Sequence, residues 1–183
     1  MANQKSINAT VTTPGMATPK ELFARLSGLG ISINTVSHAP VFTVHQNQKI
    51  RGRLPGAHCK TLFLQDKNGS LWLCVVMENK RVNMHTLANL IGSKRLSFAK
   101  PSLVRSLLGV EPGAVTPFAL INDKKKINVV LDAELMLWDT ANFHPLVNDK
   151  TTAIAPHNLL KFIKSCGNLP KIIQLTSNTN DTC

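Results

Sequence analysis

Apolar residues recur along this chain at two spacings. From Thr18 to Gly30, Leu22, Leu26 and Leu29 fall three and four residues apart, the period of a helix with one buried face. Thr18 stands before Pro19, and Glu21 follows three residues on. That is a capping box with proline in the first helical position, so a helix is expected from Pro19 until Gly28 and Gly30 end it. Residues 31–36 alternate as a strand. Two apolar runs, 61–65 and 71–76, flank Asp66-Lys67-Asn68-Gly69 and predict a β-hairpin with largely buried arms. Residues 86–91 and 101–108 read as short helices closed by Gly92 and Gly109. Residues 118–121 and 127–131 read as paired strands around the charged turn 122–126, and residues 151–154 as another strand. Residues 156–166 read as a helix with Leu159, Leu160 and Ile163 inward and Gly167 as its stop, and residues 171–175 as a last strand.

Helices and strands mixed along one chain, with hairpins, predict an α/β fold: a single domain with a mixed, mainly antiparallel sheet flanked by helices. Residues 1–17, rich in Asn, Thr and Ser, carry no period and read as a disordered arm. The domain is expected over 18–176, and 177–183 as a flexible tail. With 183 residues, 43% of them hydrophobic, the chain can bury a single core. It has no run of ~18 to 20 apolar residues and no apolar stretch of a signal peptide at its start. A cytoplasmic protein with no membrane partner is therefore expected.

Charge adds a partner class. The formal net charge is +11. Between Lys49 and Arg105 there are eleven basic residues and two acidic ones, Asp66 and Glu78. A basic face of that size attracts a polyanion through counterion release, which puts nucleic acid first among partners, with a merely solvated basic surface as the alternative. The four cysteines show no ligand spacing, and neither HxH nor HExxH occurs, so reduced thiols, no metal and no cofactor are expected. The absence of GxGxxG, GxxxxGK[ST] and GxSxG argues against dinucleotide, P-loop and serine-elbow chemistry.

Three irregular stretches remain. Leu54-Pro-Gly-Ala-His-Cys-Lys60 leads into the first hairpin strand, so Lys60 would project from a rigid element. On spacing alone, a solvated strand-end lysine is the simpler reading. In Glu111-Pro-Gly-Ala-Val-Thr-Pro117, two prolines and a glycine force an irregular backbone. Gly113 would allow close approach of a ligand while neighbouring amides donate to an oxyanion; a plain turn is the alternative. His144-Pro-Leu-Val-Asn148 carries a ring that could titrate near neutral pH, or be structural. Cys59 is adjacent to Lys60, but neighbours on a strand point to opposite faces, which argues against a Cys59 nucleophile.

Together with His38-Ala-Pro-Val-Phe-Thr, and in this order, these stretches resemble the editing-domain family of bacterial prolyl-tRNA synthetases in its free-standing form, the trans-acting deacylases that hydrolyse mischarged tRNA for proline. The likeness runs from about Thr18 to Leu175 and implies a prolyl-tRNA editing-domain-like fold. It makes Lys60 the essential lysine of the family, and it makes Gly113, Ala114 and Thr116 the loop that cradles the aminoacyl end. His38, Thr61, Asn122 and His144 then become substrate contacts. It also implies tRNA binding by Lys49, Arg51, Arg53, Lys94 and Arg95, the last resembling a family arginine that reads the acceptor stem, and a transient association with prolyl-tRNA synthetase. The implied reaction is hydrolysis of alanyl-tRNA for proline, without metal or covalent intermediate. A non-catalytic tRNA-binding module and a deacylase for cysteinyl- or seryl-tRNA are the alternatives. Two departures stand out: Thr61 follows the lysine where relatives usually carry Asn, and Gln46 stands where they tend to carry an acid.

Overall fold

The computed structural model describes residues 14–40 and 54–175. Helix α1 spans Pro19–Gly28. The Thr18 hydroxyl accepts from the Glu21 amide at 3.3 Å, and the Glu21 carboxylate accepts from the Thr18 amide at 2.7 Å, so both halves of the capping box form. Leu22 and Leu26 are fully buried. The Ile31 amide then bonds back to the Leu26 carbonyl, which delays β1 to Asn34–Ser37.

The expected hairpin forms and is longer than its apolar runs. It joins β2, Ala57–Asp66, to β3, Leu71–Met77. The turn is held by Asp66, whose carboxylate accepts from the Asn68 and Ser70 amides at 2.9 and 3.0 Å. Strand β4, Leu96–Phe98, lies antiparallel against the end of β2, after helix α2, Met84–Ile91, with Asn83 as its N-cap. A three-residue helix α3, Pro101–Leu103, widens into a π turn, Val104–Leu108, that ends on Gly109.

Residues 118–121 are not a strand. Pro117 opens a 3-10 helix, Pro117–Asn122, because Thr116 caps it by accepting from the Phe118 amide at 3.3 Å. The strand β5, Asn128–Asp132, pairs instead in parallel with β3. A 3-10 helix, Ala133–Leu137, and strand β6, Ala141–Phe143, precede β7, Lys150–Ile154. Helix α4, Pro156–Ser165, and strand β8, Lys171–Ile173, complete the fold. The elements β4 and β6 span three residues each, too short for a period to announce them.

The eight strands among the described residues form one mixed sheet in the order β1-β7-β6-β2-β3-β5-β8, with β4 beside β2. Four pairings are antiparallel and three parallel. On one face Cys59, Phe63, Val75 and Leu131 join α1, α4 and the 117–122 helix in the larger core, where Phe118 packs edge-on to Phe143 and Phe162. On the other face Leu64, Cys74 and Val76 pack under α2 through Leu87, Ala88 and Ile91. No helix among the described residues is long and apolar enough to cross a membrane.

Candidate active site

Lys60 lies three residues inside β2 rather than at its end, opposite Val76 of β3. Alternation puts it on the face of Leu62 and Leu64, away from Cys59 and Phe63. Its ammonium donates to the main-chain carbonyls of Glu78, at 3.3 Å, and Lys80. An ammonium has three hydrogens, so this tether aims the side chain and leaves one donor. Burial lowers the Lys60 pKa below the ordinary 10.5, and the Glu78 charge partly offsets that.

The Lys80 end of this tether is rigid, although the sequence reading assigned it no role. The Lys80 side chain is buried and its ammonium lies 2.8 Å from Asp132, itself fully buried, and 2.9 Å from Glu134; it also donates to the Leu175 carbonyl at 2.8 Å. Burial works against the charge, but the hydrogen bonds that Lys80 donates to the two carboxylates, with their negative charge, outweigh it and hold its pKa above 10.5. The one available sign in the sequence was an acid, Asp132, closing an apolar strand: a carboxylate buried at that point needs a cation.

The two histidines converge on the start of β7. The His38 Nδ1–H donates to its neighbour's carbonyl, Ala39, at 2.8 Å, which leaves Nε2 to accept from the Thr151 hydroxyl at 2.9 Å in the neutral ring. The His144 Nδ1–H donates to the Lys150 carbonyl at 2.8 Å. Their ring centroids are 6.0 Å apart. Strand β6 runs parallel to β2 with Asn142 opposite His58. Lys60 and His144 each follow this pair by two residues, so the parallel register sets Lys60, inside β2, level with His144, which stands just past the end of β6. Gly56 makes the junction possible. Its φ is +107°, and a Cβ there would stand 2.7 Å from the Thr140 carbonyl oxygen and 3.2 Å from the Asn142 side-chain Nδ2, which donates to the Pro55 carbonyl at 2.9 Å.

Other expected site residues sit elsewhere. Thr61 faces the Cys59 side with Val75 as its partner, so its side chain and that of Lys60 leave β2 on opposite faces. Gly113 is exposed in a 3-10 turn, Pro112–Ala114, fixed by the burial of Ala114 in the larger core. The Ala114 amide is used on the Glu111 carbonyl at 2.8 Å, which removes it as an oxyanion donor; the Gly113 amide makes no bond within the described residues. Thr116 is a buried cap. The Asn122 side chain donates to the Leu108 carbonyl at 2.9 Å and accepts from the Ala17 amide at 2.8 Å, tying three segments together. Lys94 and Arg95 are exposed before β4, whereas Lys49, Arg51, Arg53 and Gln46 lie outside the described residues.

Cys74 and Cys166 are free thiols; burial pushes Cys74 up to about 12 and Cys166 up to about 11, far from thiolate chemistry. Among the described residues no group of three or more His, Cys, Asp or Glu could hold a metal ion.

The mixed sheet and its flanking helices recur in solved structures. A crystal structure of a proposed trans-editing enzyme for prolyl tRNA synthetase superposes with a TM-score of 0.66, at 20% identity, over 88% of this chain and 99% of that one. The sequence makes the assignment: residues 38–162 match the aminoacyl-tRNA editing domain, and the chain belongs to that family. It is 35% identical to the Bos taurus prolyl-tRNA synthetase associated domain-containing protein 1, over 84% of this chain and 93% of that protein. It is 32% identical to the prolyl-tRNA editing protein ProX of Acetoanaerobium sticklandii, over 87% and 99%.

Proposed function

We propose that this protein edits in trans, hydrolysing mischarged aminoacyl-tRNA, with alanyl-tRNA for proline as substrate. The observation that carries the reading is the tethered Lys60, on a rigid strand with one donor unused, at the position the family model spans. The name of the ProX relative supports the substrate class. In the proposed step, water adds to the ester carbonyl, whose oxygen takes up negative charge and accepts from the remaining Lys60 N–H. The C–O bond to the ribose then breaks, a proton passes to the departing ribose oxygen, and free amino acid and tRNA result. The ester is already activated and has a ribose hydroxyl beside it, so no protein nucleophile is required. A second site too small for proline complements a synthetase that cannot strongly reject alanine, since one methylene is worth only about 1–3 kcal/mol.

A second reading, a tRNA-binding module without hydrolysis, is favoured by Thr61 facing away from Lys60 and by the Ala114 amide being already engaged. A panel of tRNAs charged with alanine, cysteine, serine and proline, assayed for release of amino acid, separates the readings. Rapid release of alanine alone is expected. Binding without release from any of them overturns the deacylase reading.

A further inference from the structure

Phe98 is 65% exposed on β4, although it pairs with Leu64, which is fully buried. The same face of β2 carries Leu62 and then Lys60 at steps of two residues. Phe98 and Lys60 therefore look out from one face of the sheet, about 13 Å apart along the strand. In the segments that flank β4, Lys67, Lys94, Arg95 and Lys100 are exposed, and none makes an ion pair among the described residues. The Lys67 amide donates to the Arg95 carbonyl at 3.0 Å, which fixes the hairpin turn and its cation against the start of β4. Asp66, next to Lys67 in sequence, is buried and spends its carboxylate on the turn amides, and Glu111 is paired with Arg105, so neither is spent on these charges.

A single exposed apolar residue needs no explanation. An exposed aromatic on a strand flanked by cations with no ion-pair partner is different: it combines a stacking surface with an electrostatic track for a phosphate backbone, the two elements of single-stranded nucleic-acid binding. An apolar protein partner is disfavoured by the same cations, which it would have to desolvate without compensation.

We propose that Phe98 stacks an unpaired base of the RNA strand whose 3′ end reaches Lys60, with Lys67, Lys94, Arg95 and Lys100 holding its phosphates. This rests on the proposed deacylase reading for the position of the 3′ end. The unpaired tail of an acceptor arm is the segment that can span from β4 to Lys60 with its bases splayed out.

The test uses the full chain and an RNA stem-loop with an unpaired 3′ tail carrying 2-aminopurine, read by fluorescence quenching and by Kd. Phe98→Ala and Phe98→Leu should each weaken binding at least about fivefold and abolish the quenching, while Phe98→Trp keeps both. The Phe98→Ala loss should persist at raised salt, where the Arg95→Ala loss shrinks. Melting temperature and turnover of a minimal alanyl-adenosine ester should stay at wild-type values in Phe98→Ala, because the side chain is exposed and remote from the ester. Wild-type Kd and quenching in Phe98→Ala overturn the platform, whatever the turnover. Phe98-dependent quenching in a protein that releases no amino acid upholds the platform and overturns the deacylase reading alone.

Discussion

Lys60 donates its ammonium to the main-chain carbonyl of Lys80, a residue whose own side chain is clamped between Asp132 and Glu134. One lysine thus aims the other through the backbone. The ion pair on the buried side of the 78–80 turn sets the carbonyls against which the candidate catalytic group is held.

Lys60→Ala should remove most turnover while the melting temperature stays near wild type, because a half-buried side chain adds little to the core and a positioned charge adds much to the site. Lys60→Arg should not rescue it, since a planar guanidinium cannot make the same two carbonyl contacts with a third hydrogen turned outward. Steady-state release of alanine checks both. Undiminished turnover in a folded Lys60→Ala variant would remove the lysine from the mechanism.

The lowered Lys60 pKa has a directional consequence for pH. The charged form is the proposed donor, so kcat/KM should fall as pH rises through a value below the ordinary 10.5. The Glu78 charge opposes that lowering, so Glu78→Gln should move the alkaline limb to lower pH still. Rates corrected for spontaneous ester hydrolysis give the profile; a limb that does not respond to Glu78→Gln would mean that another group titrates.

Breaking the buried pair should be costly. Lys80→Met leaves the Asp132 carboxylate buried without a cation and is expected to destabilise the fold by about 3–5 kcal/mol, whereas Lys80→Met with Asp132→Leu should recover most of the loss. The Lys80 pKa is raised on folding. Its stabilisation is complete below the unfolded value of 10.5 and is lost as pH rises through the higher folded value, so it should be constant across neutral pH. If the doubly substituted protein regains stability but kcat stays low with KM little changed, Lys80 positions Lys60; recovery of kcat as well would leave it a purely structural residue.

Gly56→Ala should destabilise the fold by about 1–3 kcal/mol from its left-handed φ, with further loss from the contact with the Thr140 carbonyl. Because the residue joins β2 to β6, turnover should fall further than stability accounts for. A melting curve and kcat measured on the same preparation test this; an unaffected protein would show that the junction shifts freely.

The basic segment is tested by salt. Arg95→Ala should flatten the dependence of tRNA affinity on salt by about one unit, and Lys124→Ala, in the turn after the 117–122 helix, should not. Equal slopes would make the positive charge a diffuse field rather than a docking face. One member of the segment is already excluded from that face: Lys80 is buried in its ion pair.

Local signals settled the local structure. The capping box at Thr18 and Glu21 and the hairpin around Asp66–Gly69 are legible in the sequence because their causes lie within a few residues: a hydroxyl three positions from an amide, or apolar runs bounded by a turn. The family likeness, too, is carried by short contiguous motifs, and Lys60 stands in one of them. What only the tertiary structure decided depends on partners far apart in the chain. Residues 118–121 have the composition of a strand but coil into a 3-10 helix, because Phe118 fills a core between Phe143 and Phe162 and Thr116 caps the turn. Thr61 follows Lys60 in sequence yet faces the other side of the sheet, a consequence of strand alternation once both faces are covered. Lys80 read as one charge among eleven, and became the buried anchor of the candidate site only when β5 brought Asp132 beside it, 52 residues away along the chain.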